Sequence, residues 1–303
     1  MTDVLEIDGR AWTAAELAAL TTPLHVKGNL DLSEWPHPLP TLATIGWGAD
    51  LRGYQHALAA LTSIGGGADL EGYQHALPAL ATIGEWADLE GYQHALPALT
   101  SIGGAAYLRG YQHALPALAT IGEWADLKGY QHALPALTSI GWWAMLEGFQ
   151  GDLPALATIG GNAYLKGYLH ALPALASIGW GADLRGYEHA LPALASIGRW
   201  ADLQGYQHAL PALTSIGRWA ILEGFQGALP PWLIDGGKDS RGYYFTGMLV
   251  AGEWRIRAGC RDFSLEKARE YWGACGASDR PDCLALVKKI AAEIERRAAL
   301  KVA

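Results

Sequence analysis

The sequence predicts a mainly β protein, a β-solenoid of about eleven 19-residue coils with an N-terminal cap and a small C-terminal α+β domain. Three observations lead to this prediction. Ten glycines recur every 19 residues, each unit holds a short segment with the two-residue period of a strand, and a proline in most units forbids a long helix. Because 19 residues cannot hold a strand, a full helix and two turns, each unit should form one coil of a stack.

The repeat reads A-D-L-x-G-Y-Q-H-A-L-P-A-L-x-S/T-I-G-x-x. Its spaced glycines are Gly53, Gly72, Gly91, Gly110, Gly129, Gly148, Gly167, Gly186, Gly205 and Gly224. A degenerate coil precedes them, so the solenoid is expected to occupy residues 25–232. Ala68 and Leu70 should point inward and Asp69 outward, and stacking at about 4.8 Å predicts one parallel sheet along a rod of about 50 Å.

The two ends depart from the repeat. In residues 1–24, Val4 to Ile7 predict a strand and Thr13 to Glu16 a capping box that opens a helix through Leu20. In residues 233–303, segments 243–250 and 253–258 predict a hairpin, Ser264 a helix through Trp272, and Pro281 the start of a last helix. We expect both segments to cap the solenoid, because an uncovered terminal coil is an open apolar edge.

Composition and motifs exclude several classes of function. No apolar run reaches the roughly 18 residues of a membrane span, and the three cysteines all follow residue 259, which excludes a disulfide scaffold. A cytoplasmic protein is expected. Cys275 and Cys283 are too far apart for a C-x-x-C site and are expected to be buried thiols. No Walker loop, G-x-S-x-G or H-E-x-x-H motif is present, so we expect no enzyme, no metal and no cofactor.

Three columns of equivalent positions are nearly constant. An aromatic column is expected to pack along the stack. The histidine column could hold metals, but no carboxylate or cysteine recurs beside it, which favours hydrogen-bonded turn histidines. A Ser/Thr column could form an ice-binding face, although local capping of turn amides is the commoner use. The three columns run from Tyr54 to Phe225, from His37 to His208 and from Thr44 to Ser215.

Four columns vary while the rest stays constant: the pair after the closing glycine, the outward strand position and the residue before the turn glycine. They carry Trp, Tyr and Arg, which interface centres favour, and exposed Trp is a liability unless something covers it. Drift at unconstrained positions is the alternative. The predicted partner-binding residues are Trp86, Trp124, Trp142, Trp143, Trp200, Trp219, Asp88, Asp126, Arg109, Lys128, Tyr107 and Tyr164.

Two segments resemble known families. The run Leu77-Pro78-Ala79-Leu80 after Ala68-x-Leu70 resembles short bacterial leucine-rich repeats, and T-S-I-G-G is similar to receptor L-domain-like repeats, although the unit is shorter and Gly72-Tyr73 replaces the usual inward Asn. The resemblance implies protein recognition or scaffolding. The phrase from Gly259 to Trp272 resembles the G-C-R-x-F-S segment of small domains in bacterial and phage proteins, to which no chemistry is attached.

The leading hypothesis is therefore a scaffold that recognises a protein partner through its variable face. A structural protein that self-associates into fibres or acts as a spacer is the alternative. An acidic phage-type decoy is a weaker one, since residues 1–230 have a net charge of −11 with interspersed Arg and Lys. Neither nucleic acid nor a membrane is an expected partner, because basic residues such as Lys288 and Arg296 alternate with glutamates.

Overall fold

The structure, a computed structural model, describes residues 4–273 and 280–300. It is mainly β, with 11% helix, and the repeats form a parallel β-solenoid of about ten coils, which confirms the predicted fold class. The chain divides into two compact units, Met1–Leu175 and Ala176–Ala303. Among the described residues, no helix has the length and hydrophobicity needed to cross a bilayer.

The N-terminal unit starts with a hairpin of β1 (Val4–Ile7) and β2 (Arg10–Thr13), followed by α1 (Ala14–Ala18). The predicted capping box is confirmed: Thr13 Oγ1 accepts from the Glu16 amide at 3.2 Å, and Glu16 Oε2 accepts from the Thr13 amide at 2.8 Å. The helix ends before the expected Leu20. The Asp8 carboxylate accepts from the amides of Lys27 and Gly28, so the hairpin satisfies backbone groups at the first coil.

Each coil of this unit contributes two strands. In chain order they are β3 (Leu24–Val26) and β4 (Leu30–Asp31), β5 (Leu42–Ile45) and β6 (Ala49–Asp50), β7 (Ser63–Ile64) and β8 (Ala68–Asp69), β9 (Thr82–Ile83) and β10 (Ala87–Asp88), β11 (Ser101–Ile102) and β12 (Ala106–Tyr107), β13 (Thr120–Ile121) and β14 (Trp124–Asp126), β15 (Ser139–Ile140) and β16 (Trp143–Met145), and β17 (Thr158–Ile159) and β18 (Asn162–Tyr164). The odd-numbered strands form one parallel sheet, sheet 1, and the even-numbered strands a second, sheet 2.

The expectation of a single sheet is therefore wrong. The segment Thr82–Ile83, outside the one strand predicted for each unit, pairs in register with Ser101–Ile102 of the next coil. The physical cause lies in the adjoining closing glycine: the Gly84 amide donates to the Ile64 carbonyl at 2.8 Å. This bond holds neighbouring coils close enough for the Thr82–Ile83 segments to pair as strands.

The core lies between the two sheets and repeats in every coil. One coil buries six side chains to 1% exposure or less: Ala87, Leu89, Tyr92, Leu96, Leu99 and Ile102. The expected inward direction of the strand Ala and Leu is confirmed. Each fully buried Leu contributes about 2 kcal/mol to folding, so the coil frame is stabilised in the same way wherever the exposed residues differ.

The aromatic and histidine columns have the structural roles expected of them. Tyr73 is buried, stacks on Tyr54 with a centroid distance of 6.3 Å, and donates its hydroxyl to the His56 carbonyl at 2.9 Å. His75 Nε2 lies 2.7 Å from the Gln55 carbonyl. Because a carbonyl only accepts, Nε2 is the protonated nitrogen of this ring. The histidines thus tie each turn to the coil before it.

The Ser/Thr column does not cap turns, so that expectation is wrong. Its residues lie in strands, and none of their hydroxyls accepts from a turn amide among the described residues; the Thr44 hydroxyl instead lies 2.9 Å from His25 Nδ1. The residue one position earlier supplies a side-chain bond instead. Thr62 Oγ1 donates to the Ala43 carbonyl of the neighbouring coil at 3.0 Å, which adds a coil-to-coil bond outside the ladder.

The C-terminal unit contains further coils and then a small α+β region. Its elements are β19 (Ser177–Ile178), β20 (Ala182–Asp183), β21 (Ser196–Ile197), β22 (Ser215–Ile216), β23 (Leu233–Lys238), β24 (Tyr244–Val250), β25 (Glu253–Ala258), β26 (Arg261–Ser264), α2 (Leu265–Trp272) and α3 (Pro281–Leu300). Strands β23 to β26 form an antiparallel sheet in sequential order. The predicted hairpin and both helices are confirmed, and β23 and β26 were not predicted.

Several bonds join this α+β region to the last coils. Trp232 Nε1 donates to the Leu213 carbonyl at 3.0 Å, Lys238 pairs with Glu223, and Arg297 donates to the Pro231 carbonyl at 2.9 Å. These contacts attach the region to the last coils, and its covering role stays a prediction.

The described cysteines of this region differ in exposure. Cys283 is buried, as predicted, whereas Cys260 is exposed. Cys275 lies outside the described residues.

Candidate functional site

The outward face of sheet 2 carries three of the four variable columns. Since Ala87 and Leu89 point into the core, Trp86, Asp88 and Glu90 alternate with them on the outside. The first residue after each closing glycine precedes the strand and lies beside this face. The sequence therefore placed the variable columns on or beside one outward surface correctly.

An aromatic patch occupies this surface in the N-terminal unit. We define it as Tyr107, Trp124, Trp142, Trp143, Met145 and Tyr164. Trp124 and Trp143 stack with centroids 4.9 Å apart and planes 6° from parallel, and Trp143 meets Tyr164 edge-on at 6.1 Å. All patch members except Trp143 are 39% to 49% exposed. Side chains of this size, held by paired strands, form a firm apolar surface.

The aspartates of the outward column brace the turn that follows them. Asp88 Oδ1 accepts from the Glu90 amide at 3.0 Å, and Asp126 Oδ1 accepts from the Lys128 amide at 3.1 Å. These Asx turns give Asp88 and Asp126 a structural role that the prediction of partner contact did not include.

Three of the four coils that supply the patch lack that brace. Tyr107, Met145 and Tyr164 occupy the column position of Asp, and their side chains have no carboxylate to accept the turn amide. In addition, Trp143 Nε1 is buried with no hydrogen-bond partner among the described residues, which costs about 1–3 kcal/mol. These residues weaken the coil locally while exposing apolar surface, so packing does not account for them.

Unpaired cations line one side of the patch. Arg109 and Lys128, together with Lys166, have no carboxylate within 4 Å in the part of the chain that the structure describes. By contrast, Arg52 at the same column position contacts both Asp50 at 2.6 Å and Asp69 at 3.5 Å. We call Arg109, Lys128 and Lys166 the basic edge.

Trp86 belongs to a separate part of the same face. Its indole lies over Gly67, where an added Cβ would come within 2.1 Å of Cε2. It forms one wall of a groove of about 300 Å³, whose lining also includes Gly48, Asp50 and Arg52. Within the described residues Trp86 has no ring contact with another aromatic side chain, so it is not continuous with the stacked rings of the patch.

The predicted residues Trp200 and Trp219 form a cluster of their own in the C-terminal unit. Their rings stack at 4.5 Å, and the Arg199 guanidinium lies 5.8 Å from the Trp219 ring and 5.9 Å from that of Trp180. Both backbones are left-handed, with φ of +66° and +63°, which costs about 1 kcal/mol for each. Trp180 and Arg199 were not predicted as site residues, although the Arg-Trp pair recurs in two successive coils.

No protein-family model, curated protein or solved structure matches this chain. By its fold the protein is a parallel β-solenoid, and the feature that sets its surface apart is the aromatic patch with its basic edge.

Proposed function

We propose that the protein is a non-enzymatic repeat scaffold whose aromatic patch binds a protein partner. The observation that carries the proposal is the loss of the Asp brace at Tyr107, Met145 and Tyr164, in the coils where exposed aromatic side chains gather. Stability alone favours Asp at these positions. Trp, Tyr, Met and Arg are the residues that interface centres favour.

The coil frame supports this role because it is the same beneath every coil. The buried six-residue set and the Tyr and His bonds do not depend on which residues face outward. A binding surface on such a frame loses little conformational entropy on association, since its strands are already ordered.

The basic edge indicates the charge of the partner. Arg109, Lys128 and Lys166 lie beside the apolar patch without carboxylate partners among the described residues. A partner that brings acidic side chains to this edge and apolar ones to the rings would complement both. Glu147 interrupts the edge, which favours discrete contacts over a uniformly acidic strip.

The leucine-rich-repeat-like motifs and the G-C-R-x-F-S segment are consistent with this proposal. Leucine-rich repeats commonly recognise proteins through their strands, and here the variable residues also lie on a strand face. We propose on this basis a leucine-rich-repeat-like scaffold of bacterial or phage type that acts in the cytoplasm.

The test is quantitative capture of a partner from the native host by the full chain. Replacing Trp142 and Trp124 by Ser should weaken capture at least about 10-fold, because exposed anchors at an interface centre dominate affinity. Trp47→Ser is the matched control: Trp47 is 61% exposed in the same turn column as Trp142 but lies outside the patch. Equal capture by all three chains would refute the proposal.

Self-assembly is the second candidate, since an exposed apolar patch could also meet a second copy. Sedimentation equilibrium separates the two. A monomeric mass over the whole concentration range supports partner binding. A mass that rises with concentration, and that Trp142→Ser returns to the monomer, supports assembly through the patch.

A further inference from the structure

The α+β region of the C-terminal unit contains a cavity of about 200 Å³. Its floor is made by Phe245, Ala258 and Trp272, all of them buried. Tyr243 and Tyr271 form walls. A volume of 150 Å³ accommodates benzene in an apolar cavity, so about 200 Å³ accommodates one aromatic ring with a short substituent. Pockets for drug-sized molecules are larger.

Two guanidinium groups line the same cavity. Arg241 Cζ lies 4.9 Å from the centre of the Tyr243 ring, and Arg261 Cζ lies 5.2 Å from that of Tyr271. Cation–π contacts hold each cation against a wall and restrict its motion. An anionic group that enters beside the aromatic floor would therefore lie near two guanidinium groups that are already held in place.

The two arginines differ in what already neutralises them. Arg241 donates to the Asp239 carboxylate at 3.0 Å, and Asp239 also accepts from the Tyr243 amide at 2.8 Å. This buried carboxylate fixes the segment that carries Arg241 and Tyr243. Arg261 has no carboxylate within 4 Å in the described part of the chain, so its charge is available to a ligand.

We infer that this cavity binds an aromatic carboxylate, with the ring on Phe245 and Trp272 and the carboxylate on Arg261. A planar guanidinium pairs with a carboxylate through two parallel hydrogen bonds. The same chemistry is offered by a free arylacetic acid and by the C-terminal residue of a peptide that ends in Phe or Tyr.

Calorimetric titration of the full chain tests the inference with four probes: phenylacetate, phenylacetamide, the peptide Gly-Gly-Phe and its C-terminal amide. We expect phenylacetate or Gly-Gly-Phe to bind with Kd of about 1 mM or tighter, and the matching neutral amide to bind at least about 10-fold more weakly. Binding of phenylacetate alone assigns a free acid, and binding of Gly-Gly-Phe alone assigns a peptide terminus. No binding of either at about 10 mM overturns the inference.

Two variants separate the pocket from general charge effects. Arg261→Gln should weaken binding of the carboxylate probe at least about 10-fold and leave the neutral amide unchanged. Arg269→Gln, which removes an exposed cation from α2 outside the cavity lining, should change affinity less than about twofold. Equal weakening by both variants overturns the assignment to Arg261.

Cys260 provides a readout that does not depend on heats of binding. Its thiol is exposed and lines the cavity, whereas Cys283 is buried and serves as an internal reference. An occupied cavity should slow alkylation of Cys260 by iodoacetamide at least about fivefold, measured by mass spectrometry of its peptide. An unchanged rate at saturating probe contradicts binding in this cavity.

Discussion

Two coils replace Tyr-Gln-His by Phe-Gln-Gly, and the two substitutions act together. Phe149 lacks the hydroxyl that Tyr73 donates to the preceding coil. In its place the backbone amide of Gln150 donates to the Tyr130 carbonyl at 3.1 Å. A Cβ on Gly151 would then lie 2.2 Å from the His132 carbonyl oxygen. Gly151 is therefore needed for the backbone bond from Gln150 to Tyr130, which replaces the tyrosine hydroxyl bond of the other coils.

This coupling is testable with a double-mutant cycle. Gly151→His alone should lower the free energy of unfolding by about 1–3 kcal/mol, because its Cβ clashes with backbone. Adding Phe149→Tyr restores the consensus triplet and should recover most of the loss. Urea denaturation of the four chains measures the coupling, and additive effects within about 0.5 kcal/mol would contradict the account.

At the scale of one coil, two kinds of glycine have different roles. Gly103, a closing glycine, is so near the preceding coil that a Cβ would lie 2.0 Å from the Gly84 carbonyl oxygen. Gly110, in the turn, has φ of +72° and open space around its Cβ direction. A side chain is therefore excluded at Gly103 by contact between coils, and disfavoured at Gly110 only by the positive φ of its own backbone.

Alanine substitution should separate the two roles. Gly103→Ala should cost about 3 kcal/mol or more, because two backbones must move apart. Gly110→Ala should cost about 1 kcal/mol, the penalty for a left-handed residue with a Cβ. Thermal and urea unfolding of both variants measure the difference. Similar losses at the two positions would show that coil contact is not what excludes a side chain at Gly103.

The tyrosine column makes stability sensitive to alkaline pH. Burial raises the pKa of these phenols above the usual value near 10, and that of Tyr206 to about 12. The same direction holds for Tyr54, Tyr73, Tyr92, Tyr111 and Tyr130. The folded chain holds these protons more tightly, so their contribution is complete below pH 10 and is lost as pH rises through the folded values.

We therefore expect the free energy of unfolding to fall above about pH 10, with each column tyrosine contributing up to about 1.4 kcal/mol per pH unit. The double substitution Tyr73→Phe and Tyr92→Phe should reduce that slope by about the contribution of two tyrosines. Phe149, which is buried in the same column, shows that the column accepts Phe. Urea midpoints between pH 9 and 11.5 measure it. If the double substitution leaves the slope unchanged, the column tyrosines do not cause the loss of stability at high pH.

For the whole molecule, the 19-residue register and inward pattern were predictable because the same spacing recurs in ten units. Sheet 1 was not predictable, since most of its strands are only two residues long and lack alternation. Strand β23 was not predictable either, because its Gly236-Gly237 pair is typical of a loop. Gly236 instead lies in a strand packed on α3, where a Cβ would come within 2.7 Å of Ile290 Cδ1.

The candidate site was predictable only as a set of columns. Register between equivalent positions indicated that Trp124 and Trp143 would be neighbours. The Asx-turn role of Asp88 and the left-handed backbone of Trp200 depend on local turn geometry, which residue spacing does not express. Tyr107 and Tyr164 were predicted as site residues, but the missing turn brace beside them depends on the same local geometry.

The covering role of the α+β region predicts the behaviour of a shortened chain. Removing residues 231–303 deletes Trp232 and uncovers the edge of β22. We expect oligomers that grow with concentration, because an open parallel edge pairs with further strands. Light scattering measures this growth. A truncated chain that stays monomeric and as stable as the full chain would show that the region does not protect the edge.

The central claim is that each 19-residue coil is one interchangeable unit of a frame that presents the patch. Its most direct test compares two internal deletion variants by thermal unfolding, with circular dichroism as the signal. Removing residues 65–83 joins Ile64 to Gly84, keeps every column in register and places Gly48 where Gly67 lay beneath Trp86. We predict cooperative unfolding within a few degrees of the full chain. Removing residues 65–82 leaves one residue too many and should give a much less stable, aggregating protein; equal stability of the two deletions would contradict the claim.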